Sequence, residues 1–230
     1  RHFKRTYKEA LRRAISLGTY DPENPVIVPI KEDKRYRSYR VYNQPVANAV
    51  IIYMMDVSGS MGDEQKEIVR LTSFWLDTWL STKYKGPERR YIIHDATARE
   101  VDQNTFYKTK ESGGTLISSA YRLALKIIED NFPMSEWNIY LFHFSDGDNS
   151  SDNDNRLCVK IIDEQLLPRI NMFGYCQVAS SYGSGSFINV LHEAFPGGVP
   201  DESGPRLITS KVNQRDDIME SLRTFFKAGR

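Results

Sequence analysis

The stretch that decides the fold is Val50-Ile51-Ile52-Tyr53-Met54-Met55-Asp56-Val57-Ser58-Gly59-Ser60. Its first six residues form a continuous apolar run, which is typical of a strand covered on both faces in a parallel sheet. The polar and glycine-containing residues that follow indicate a tight loop at the end of this strand. Apolar residues between 68 and 80 recur at helical spacing, so a helix is predicted to cross back after the loop. The sequence therefore predicts a βα unit with a polar loop at its turn.

Strands and helices alternate from this unit to the end of the chain. Further strands are predicted at 91–94, 99–101, 137–144, 170–178 and 206–212, and further helices at 117–128, 157–167, 187–195 and 218–226. The second and third strands are close enough in sequence to form an antiparallel hairpin at the sheet edge. Alternation of this kind predicts an α/β fold with an open, mostly parallel, Rossmann-like sheet and helices on both faces. Ligands of such sheets bind beyond the carboxyl ends of the strands, here between the first and fourth predicted strands.

Residues 1–45 differ from the rest of the chain in pattern and charge. Residues 3–17 have the spacing of a short amphipathic helix, whereas four prolines in residues 19–45 favour a connecting arm of turns and extended pieces rather than packed structure. The first 45 residues carry 11 Lys and Arg against 5 Asp and Glu, a net charge of +6, and the remainder carries 20 against 25, a net charge of −5. We therefore predict two regions, a basic helix and arm over 1–45 and the sheet domain over 46–230, with the basic region a separate unit or a docking surface for something acidic.

The composition is ordinary for a soluble domain, with 230 residues, 40% hydrophobic and 27% charged. No segment approaches the roughly 20 apolar residues that a membrane span needs, and no secretory signal is visible. Cys158 and Cys176 form no CxxC pair, which is the usage expected of reduced thiols. These features predict a cytoplasmic protein without membrane contact. Because the sequence begins with Arg rather than Met, we expect it to be an excerpt of a longer protein.

Five oxygen-bearing side chains are predicted to converge at one edge of the sheet. Asp56, Ser58 and Ser60 follow the most hydrophobic strand at alternate positions. Thr115 follows two glycines where the helix before the fourth strand opens, and Asp146 ends that strand. None of the five offers sulfur or imidazole, which suits a hard cation and argues against zinc or copper. The sequence therefore predicts one site for Mg²⁺ or Mn²⁺.

The order and separation of these residues resemble the metal-ion-dependent adhesion site of von Willebrand factor A domains. The resemblance implies that Ser58, Ser60 and Thr115 bind the metal directly, whereas Asp56 and Asp146 act mainly through water. Neutral hydroxyl ligands leave the charge of a divalent cation poorly compensated, so an open coordination position should attract a carboxylate. We therefore expect a non-catalytic module whose protein partner supplies an Asp or Glu.

A narrower resemblance runs through almost the whole chain. The segments that carry it are 5–40, His94-Asp95-Ala96-Thr97-Ala98 and Ser112-Gly113-Gly114-Thr115. They are similar to segments of an uncharacterised bacterial family associated with sporulation and stress, whose members carry an A-type domain in their second half. Genes of that family commonly neighbour one for a serine protein kinase with an ATPase-like module, which the resemblance implies as a candidate partner. The acidic, asparagine-rich stretch 148–152 departs from the pattern and could compete for the cation or reshape the rim of the site.

Two other functions stay open on the sequence. A carboxylate after a core strand beside Mg²⁺ is also the layout of phosphatases, so Asp56 could act as a nucleophile or metal-held base in phosphoryl transfer. Residue 58 is then Ser where a second acidic residue is expected. Tyrosines interleaved with basic residues over 31–42 could bind single-stranded nucleic acid by stacking and charge. A charge run is more often a solvated face, which makes nucleic acid the weaker alternative.

The remaining polar motifs favour structural roles. His94 and His143 lie in or at the ends of predicted strands and show no HExxH spacing, which favours hydrogen-bonded core histidines. The string Gly183-Ser184-Gly185-Ser186 does not fit G-x-S-x-G and favours a flexible loop. The Gly113-Gly114 pair lacks a following Lys, so a phosphate-binding loop is excluded.

Overall fold

A computed structural model describes residues 2–36, 48–109, 113–198, 200–201 and 204–228. The chain forms two compact units, Arg1–Pro45 and Val46–Arg230. Within the described ranges, no helix combines the length and the apolar character needed to cross a membrane.

The first unit contains helix α1, Phe3–Ser16, and the extended segment that follows it. Asp33 of this segment is 4% exposed, and its carboxylate accepts hydrogen bonds of 3.0–3.2 Å from the guanidinium of Arg13 on α1. The Arg13 guanidinium lowers the pKa of Asp33. The described part of the segment consists mainly of exposed turns and extended pieces, as predicted, and the buried Asp33 joins it to α1. Residues 37–45 of the predicted arm lie outside the described residues.

The second unit alternates strands and helices. Its strands are β1 (Asn48–Asp56), β2 (Glu88–His94), β3 (Ala98–Val101), β4 (Trp137–Ser145), β5 (Met172–Val178), β6 (Pro200–Asp201), β7 (Gly204–Pro205) and β8 (Leu207–Val212). Its helices are α2 (Asp63–Lys83), α3 (Gln103–Lys108), α4 (Ile117–Asn131), α5 (Asp152–Ile161), α6 (Phe187–Ala194) and α7 (Ile218–Ala228). Helix α5 continues into a π-helical turn, Ile162–Leu166, and then a 3-10 turn, Leu167–Arg169. A further 3-10 turn, Arg215–Asp217, precedes α7.

Six of the strands form one open sheet in the order β3-β2-β1-β4-β5-β8. All neighbours in this sheet are parallel except β3, which pairs antiparallel with β2 at the edge. Strands β6 and β7 form a separate antiparallel pair. The predicted fold class is therefore confirmed. Strand order reverses between β1 and β4, so the switch point lies where the sequence predicted it.

The sheet is buried on both faces because consecutive residues of β1 enter opposite core layers. Ile52 and Met54 pack with apolar side chains of α4, α5 and α6. Ile51 and Tyr53 pack with side chains of α2, α3 and α7 on the other face. Each fully buried side chain of this size stabilises the fold by about 1.5–3 kcal/mol. Two covered faces leave the edge at the carboxyl ends of the strands as the place where loop side chains gather.

Two helices differ from the sequence prediction. Helix α3 was not predicted, because six residues are too few to show a helical period. It begins after Asp102, whose carboxylate accepts hydrogen bonds from two N–H groups in the first turn. Helix α5 begins at Asp152 rather than near 157, because the Ser151 hydroxyl accepts a hydrogen bond from the Asp154 N–H and caps it.

Candidate metal centre

The carboxyl ends of β1, β2 and β4 lie side by side at the switch point. In the register of the sheet, Asp56 of β1 pairs with His94 of β2, and Met55 pairs with Phe144 of β4. The loops that leave these strands therefore begin at the same level on one edge. This arrangement places Asp56 and Asp146 at the starts of neighbouring loops.

Asp56 is fully buried, and both of its carboxylate oxygens accept hydrogen bonds. Oδ1 accepts from the Ser58 N–H at 2.8 Å, and Oδ2 accepts from the Ser145 hydroxyl at 3.1 Å. The hydroxyl oxygens of Ser58 and Ser60 lie 3.2 Å apart. These contacts hold the β1 loop in a tight turn that places two hydroxyl oxygens side by side, where they can contact a common ion.

Asp146 is a second buried carboxylate at this edge, with 1% of its surface exposed. Its Oδ1 accepts a hydrogen bond from the Asp148 N–H at 3.1 Å, whereas the buried Oδ2 has no hydrogen-bond partner among the described residues. Burial raises the pKa of Asp146, the nearby Ser60 hydroxyl opposes that rise, and the charge of Asp56 adds to it. A buried carboxylate oxygen without a donor favours compensation by a proton or a cation.

Thr115 lies in the loop that leads into α4 and is half-buried. The helix begins at Ile117 with Leu116 as its N-cap, and no side chain caps it. The Leu116 N–H donates to the Asp95 carbonyl at 2.7 Å, which ties this loop to the end of β2. Between described atoms, no hydrogen bond joins Thr115 to the other four predicted ligands. Its part in the metal site stays a prediction.

The acidic stretch 148–152 connects the loop after β4 to neighbouring segments. The Asp148 carboxylate accepts a hydrogen bond from the Ser184 N–H. The Asn149 side-chain oxygen accepts one at 3.2 Å from the Ile117 N–H at the start of α4. The stretch therefore contacts the segment after β5 and the start of α4, and its effects on the rim of the site and on cation binding stay predictions.

Two histidines lie in the strands that flank β1. His94 Nε2 and His143 Nε2 are 2.9 Å apart, and the Tyr121 hydroxyl lies 2.9 Å from His143 Nδ1. All three side chains are fully buried. Burial lowers the pKa of His94 and of His143, so both rings are neutral at pH 7. The prediction that they are hydrogen-bonded core residues is confirmed.

Ser145, the last residue of β4, belongs to none of the predicted motifs but contacts two of the site loops. Its buried hydroxyl donates to Asp56 Oδ2 and accepts a hydrogen bond from the Gly147 N–H at 3.0 Å. One side chain therefore links the loop after β1 to the loop after β4. The available signal was a hydroxyl residue at the end of an otherwise apolar strand, next to the acidic residue Asp146.

The donor set decides which ions the site could hold. Among the described side chains, no place gathers three or more His, Cys, Asp and Glu groups suited to a metal. An ion at this edge would therefore rely on hydroxyl oxygens in addition to the carboxylates of Asp56 and Asp146. An all-oxygen set of this kind fits Mg²⁺ or Mn²⁺.

The fold is that of von Willebrand factor A domains. The chain is similar to the solved von Willebrand factor type A structure from Catenulispora acidiphila, with a TM-score of 0.54 and 12% identity over 78% of this chain and 42% of that one. It is also similar to the ArnB paralog VWA2 from Sulfolobus acidocaldarius, with a TM-score of 0.51 and 13% identity over 76% of this chain and 44% of that one. Likeness at these identities shows the fold alone, and in that respect the predicted resemblance is confirmed.

The chain belongs to the family described as protein of unknown function DUF444, whose model matches residues 2–229. It is 35% identical over 225 residues to UPF0229 protein BH1031 of Halalkalibacterium halodurans, and 36% identical over 225 residues to UPF0229 protein ABC1477 of Shouchella clausii. Each match covers 97% of this chain and 54% of the relative, so the chain spans about half the length of these relatives. Links to sporulation, stress and a kinase stay predictions.

Proposed function

We propose that this chain is a non-catalytic interaction module that holds one Mg²⁺ or Mn²⁺ ion and uses it to bind an Asp or Glu of a protein partner. In this proposal Ser58, Ser60 and Thr115 supply hydroxyl ligands directly, as the resemblance to metal-ion-dependent adhesion sites implies. Asp56 and Asp146 act mainly through water.

The observation that carries the proposal is the unpartnered Oδ2 of Asp146. A buried polar atom without a hydrogen bond costs about 1–3 kcal/mol, and more when it is charged. The Asp146 carboxyl group follows β4 at the switch point of the sheet, where the charge of Asp56 raises its pKa and the Ser60 hydroxyl lowers it. A divalent cation between the loops would compensate both buried carboxylates at once.

The ligand types favour a partner carboxylate over other groups. The three direct ligands in this proposal are neutral hydroxyls. They therefore leave much of the charge of a divalent cation uncompensated. Hard cations prefer oxygen donors, and Mg²⁺ usually keeps several waters that an incoming oxygen can displace. An Asp or Glu side chain supplies both the oxygen and the negative charge.

The hydrogen bonds of Asp56 favour binding over phosphoryl transfer. Both of its oxygens accept hydrogen bonds, one from the Ser58 N–H and one from the Ser145 hydroxyl. Each hydrogen bond lowers the nucleophilicity of the carboxylate oxygen that accepts it. Residue 58 supplies a hydroxyl rather than the second carboxylate of a phosphatase layout.

The described part of the basic arm gives little support to nucleic-acid binding. Arg35 of the 31–42 segment is paired with Glu9 of α1 at 3.2 Å. This cation already has an acidic partner within the first unit. Residues 37–42 of the proposed nucleic-acid segment lie outside the described residues.

A partner class follows only from the resemblance. We propose as a candidate the serine protein kinase with an ATPase-like module whose gene commonly neighbours genes of the resembling family, in a cytoplasmic assembly related to stress or sporulation. Its side of the contact would carry the Asp or Glu that completes the ion's coordination.

Capture of partner proteins on the immobilised chain tests the proposed function. We expect capture in Mg²⁺, loss of capture in EDTA, and recovery on addition of Mn²⁺. Ser58→Ala and Thr115→Ala should each abolish metal binding and capture while the circular dichroism spectrum stays unchanged.

The matched control is Thr224→Ala on α7, which removes an exposed hydroxyl that donates a hydrogen bond to the Glu220 carbonyl. It should leave metal binding and capture intact. Capture that is insensitive to EDTA, or that survives both site substitutions, would contradict the proposal.

A further inference from the structure

The loop after β5, residues 179–186, contacts the metal-site loops although it carries none of the five predicted ligands. The Ser180 hydroxyl donates to the Ser60 carbonyl at 2.7 Å. The Gln65 side chain of α2 donates to the Ala179 carbonyl at 3.0 Å. The β5 loop, as residues 179–186 are called below, is therefore attached to the loop and helix that follow β1.

Ser180 is itself held in a defined orientation. Its hydroxyl oxygen accepts a hydrogen bond from the Tyr182 N–H at 3.2 Å while it donates to the Ser60 carbonyl. With both roles of the hydroxyl used, the side chain has a fixed direction. The Ser60 backbone, and with it the Ser60 hydroxyl, is therefore positioned from outside its own loop.

Gly183 lies directly against the Asp146 carboxyl group. A Cβ atom at this position would be 2.9 Å from both Cγ and Oδ2 of Asp146, which is shorter than a van der Waals contact. The φ angle of Gly183 is not in the left-handed region, so the backbone itself accepts an L-residue. The absence of a side chain here leaves room for the unpartnered oxygen of Asp146.

The same loop also holds the segment that follows Asp146. The Ser184 N–H donates to the Asp148 carboxylate, and the Gln177 side chain donates to the Gly185 carbonyl at 3.1 Å. The Phe187 N–H donates to the Gly147 carbonyl at 3.0 Å. Contacts on both sides of Gly183 therefore fix its distance from Asp146.

We propose that the β5 loop forms part of the metal site, in addition to the three loops that carry the predicted ligands. Ser180 and Gly183 are then positioning residues for the ion. Ser180 sets the place of Ser60, and Gly183 sets the place of Asp146 Oδ2. Neither touches the ion, since each acts through a predicted ligand. The inference rests on the proposed function and deepens it, because it names the element that aligns ligands from two separate loops.

Binding of Mn²⁺ to the full chain, followed by electron paramagnetic resonance of the free ion, tests this inference. We expect Gly183→Ala to weaken Mn²⁺ binding at least tenfold, because the added methyl group displaces the Asp146 carboxyl. Ser180→Ala should weaken binding several-fold, and Ser180→Thr, which keeps the hydroxyl, should restore it. Melting temperatures in EDTA should stay close to that of the wild type.

The control on the same loop is Tyr182→Ala. The Tyr182 side chain is 87% exposed, so its loss should leave Mn²⁺ affinity unchanged. If Gly183→Ala does not fold, the Ser180 pair of variants carries the test. If Ser180→Ala and any folded Gly183→Ala bind Mn²⁺ with wild-type affinity, this inference is overturned while the proposed function stands. Failure of the wild type to bind Mn²⁺ would overturn the proposed function and this inference with it.

Discussion

At the scale of single residues, Asp146 links the candidate metal site to the stability of the fold. It is a buried carboxylate with one unpaired oxygen, and burial raises its pKa. A group whose pKa is higher in the folded state than in the unfolded state stabilises the fold at low pH. That stabilisation is lost as pH rises through the folded-state pKa. Above that pH, the ion-free chain carries an unfavourable buried charge that a cation would compensate.

Asp146→Asn separates these two effects. In EDTA at pH 8 the neutral amide should raise the unfolding free energy by about 1 kcal/mol, or roughly 2–4 °C in melting temperature for a chain of this size. In Mg²⁺ the wild type should gain stability by mass action, whereas the variant should gain little. Thermal unfolding followed by circular dichroism, with and without Mg²⁺, measures both shifts.

Asp163→Asn, an exposed carboxylate beyond α5, is the control and should shift neither temperature. Equal Mg²⁺ stabilisation of the wild type and Asp146→Asn would show that the ion binds elsewhere.

The five candidate ligands could be proposed from the sequence because each lies in a local motif or at an end of a predicted strand or helix. Asp56, Ser58 and Ser60 leave one strand at alternate positions, so a linear motif identifies them. Ser145 bridges two loops through hydrogen bonds with Asp56 and Gly147, which are contacts in space that no spacing encodes. The role of Gly183 is still harder to predict, because it consists of an absent side chain beside a residue 37 positions away.

At the scale of secondary structure, hydrophobic pattern predicted the elements that are buried on both faces. The apolar runs of β1 and β4 identify central parallel strands, because both of their faces meet helices. Helix α3 was missed because it is short, and the start of α5 because a Ser side chain, rather than apolar spacing, determines it. The hydrophobic pattern therefore predicts the layers of the fold and the starts of α4, α6 and α7, but neither α3 nor the start of α5.

Strands β2 and β4 and helix α4 share a buried polar contact that makes stability depend on pH. His94 and His143 have lowered pKa values in the folded chain because of burial. Below about pH 6.5 the unfolded chain binds protons that the folded chain excludes, so stability falls as the pH is lowered. The loss should reach about 1.4 kcal/mol per pH unit for each histidine. Urea unfolding at pH 7.5, 6.5 and 5.5 measures this slope.

His94→Gln should reduce the slope of the unfolding free energy against pH by the contribution of one histidine, about 1.4 kcal/mol per pH unit. The reason is that an amide does not titrate. The control is His192→Gln on the exposed side of α6, which should leave the slope unchanged. A slope that is the same in the wild type and in His94→Gln would contradict the assignment of a neutral buried pair.

At the scale of the whole molecule, the strand order brings the loops of the candidate site to one edge of the sheet. The sheet reverses its order between β1 and β4, and the loops that carry Asp56 and Asp146 leave at this point. All five predicted ligands belong to the second compact unit, Val46–Arg230. The chain spans about half the length of its relatives, with 54% of each covered, so the proposed partner contact concerns one domain of a longer family architecture.

The most direct measurement is the anomalous diffraction of crystals of this chain grown with Mn²⁺. We predict one manganese peak at the carboxyl edge of the sheet, within coordination distance of the Ser58, Ser60 and Thr115 hydroxyl oxygens. The peak should be absent from crystals of Ser58→Ala grown under the same conditions. No peak at this edge, or a peak unaffected by Ser58→Ala, would contradict the assignment of a metal centre.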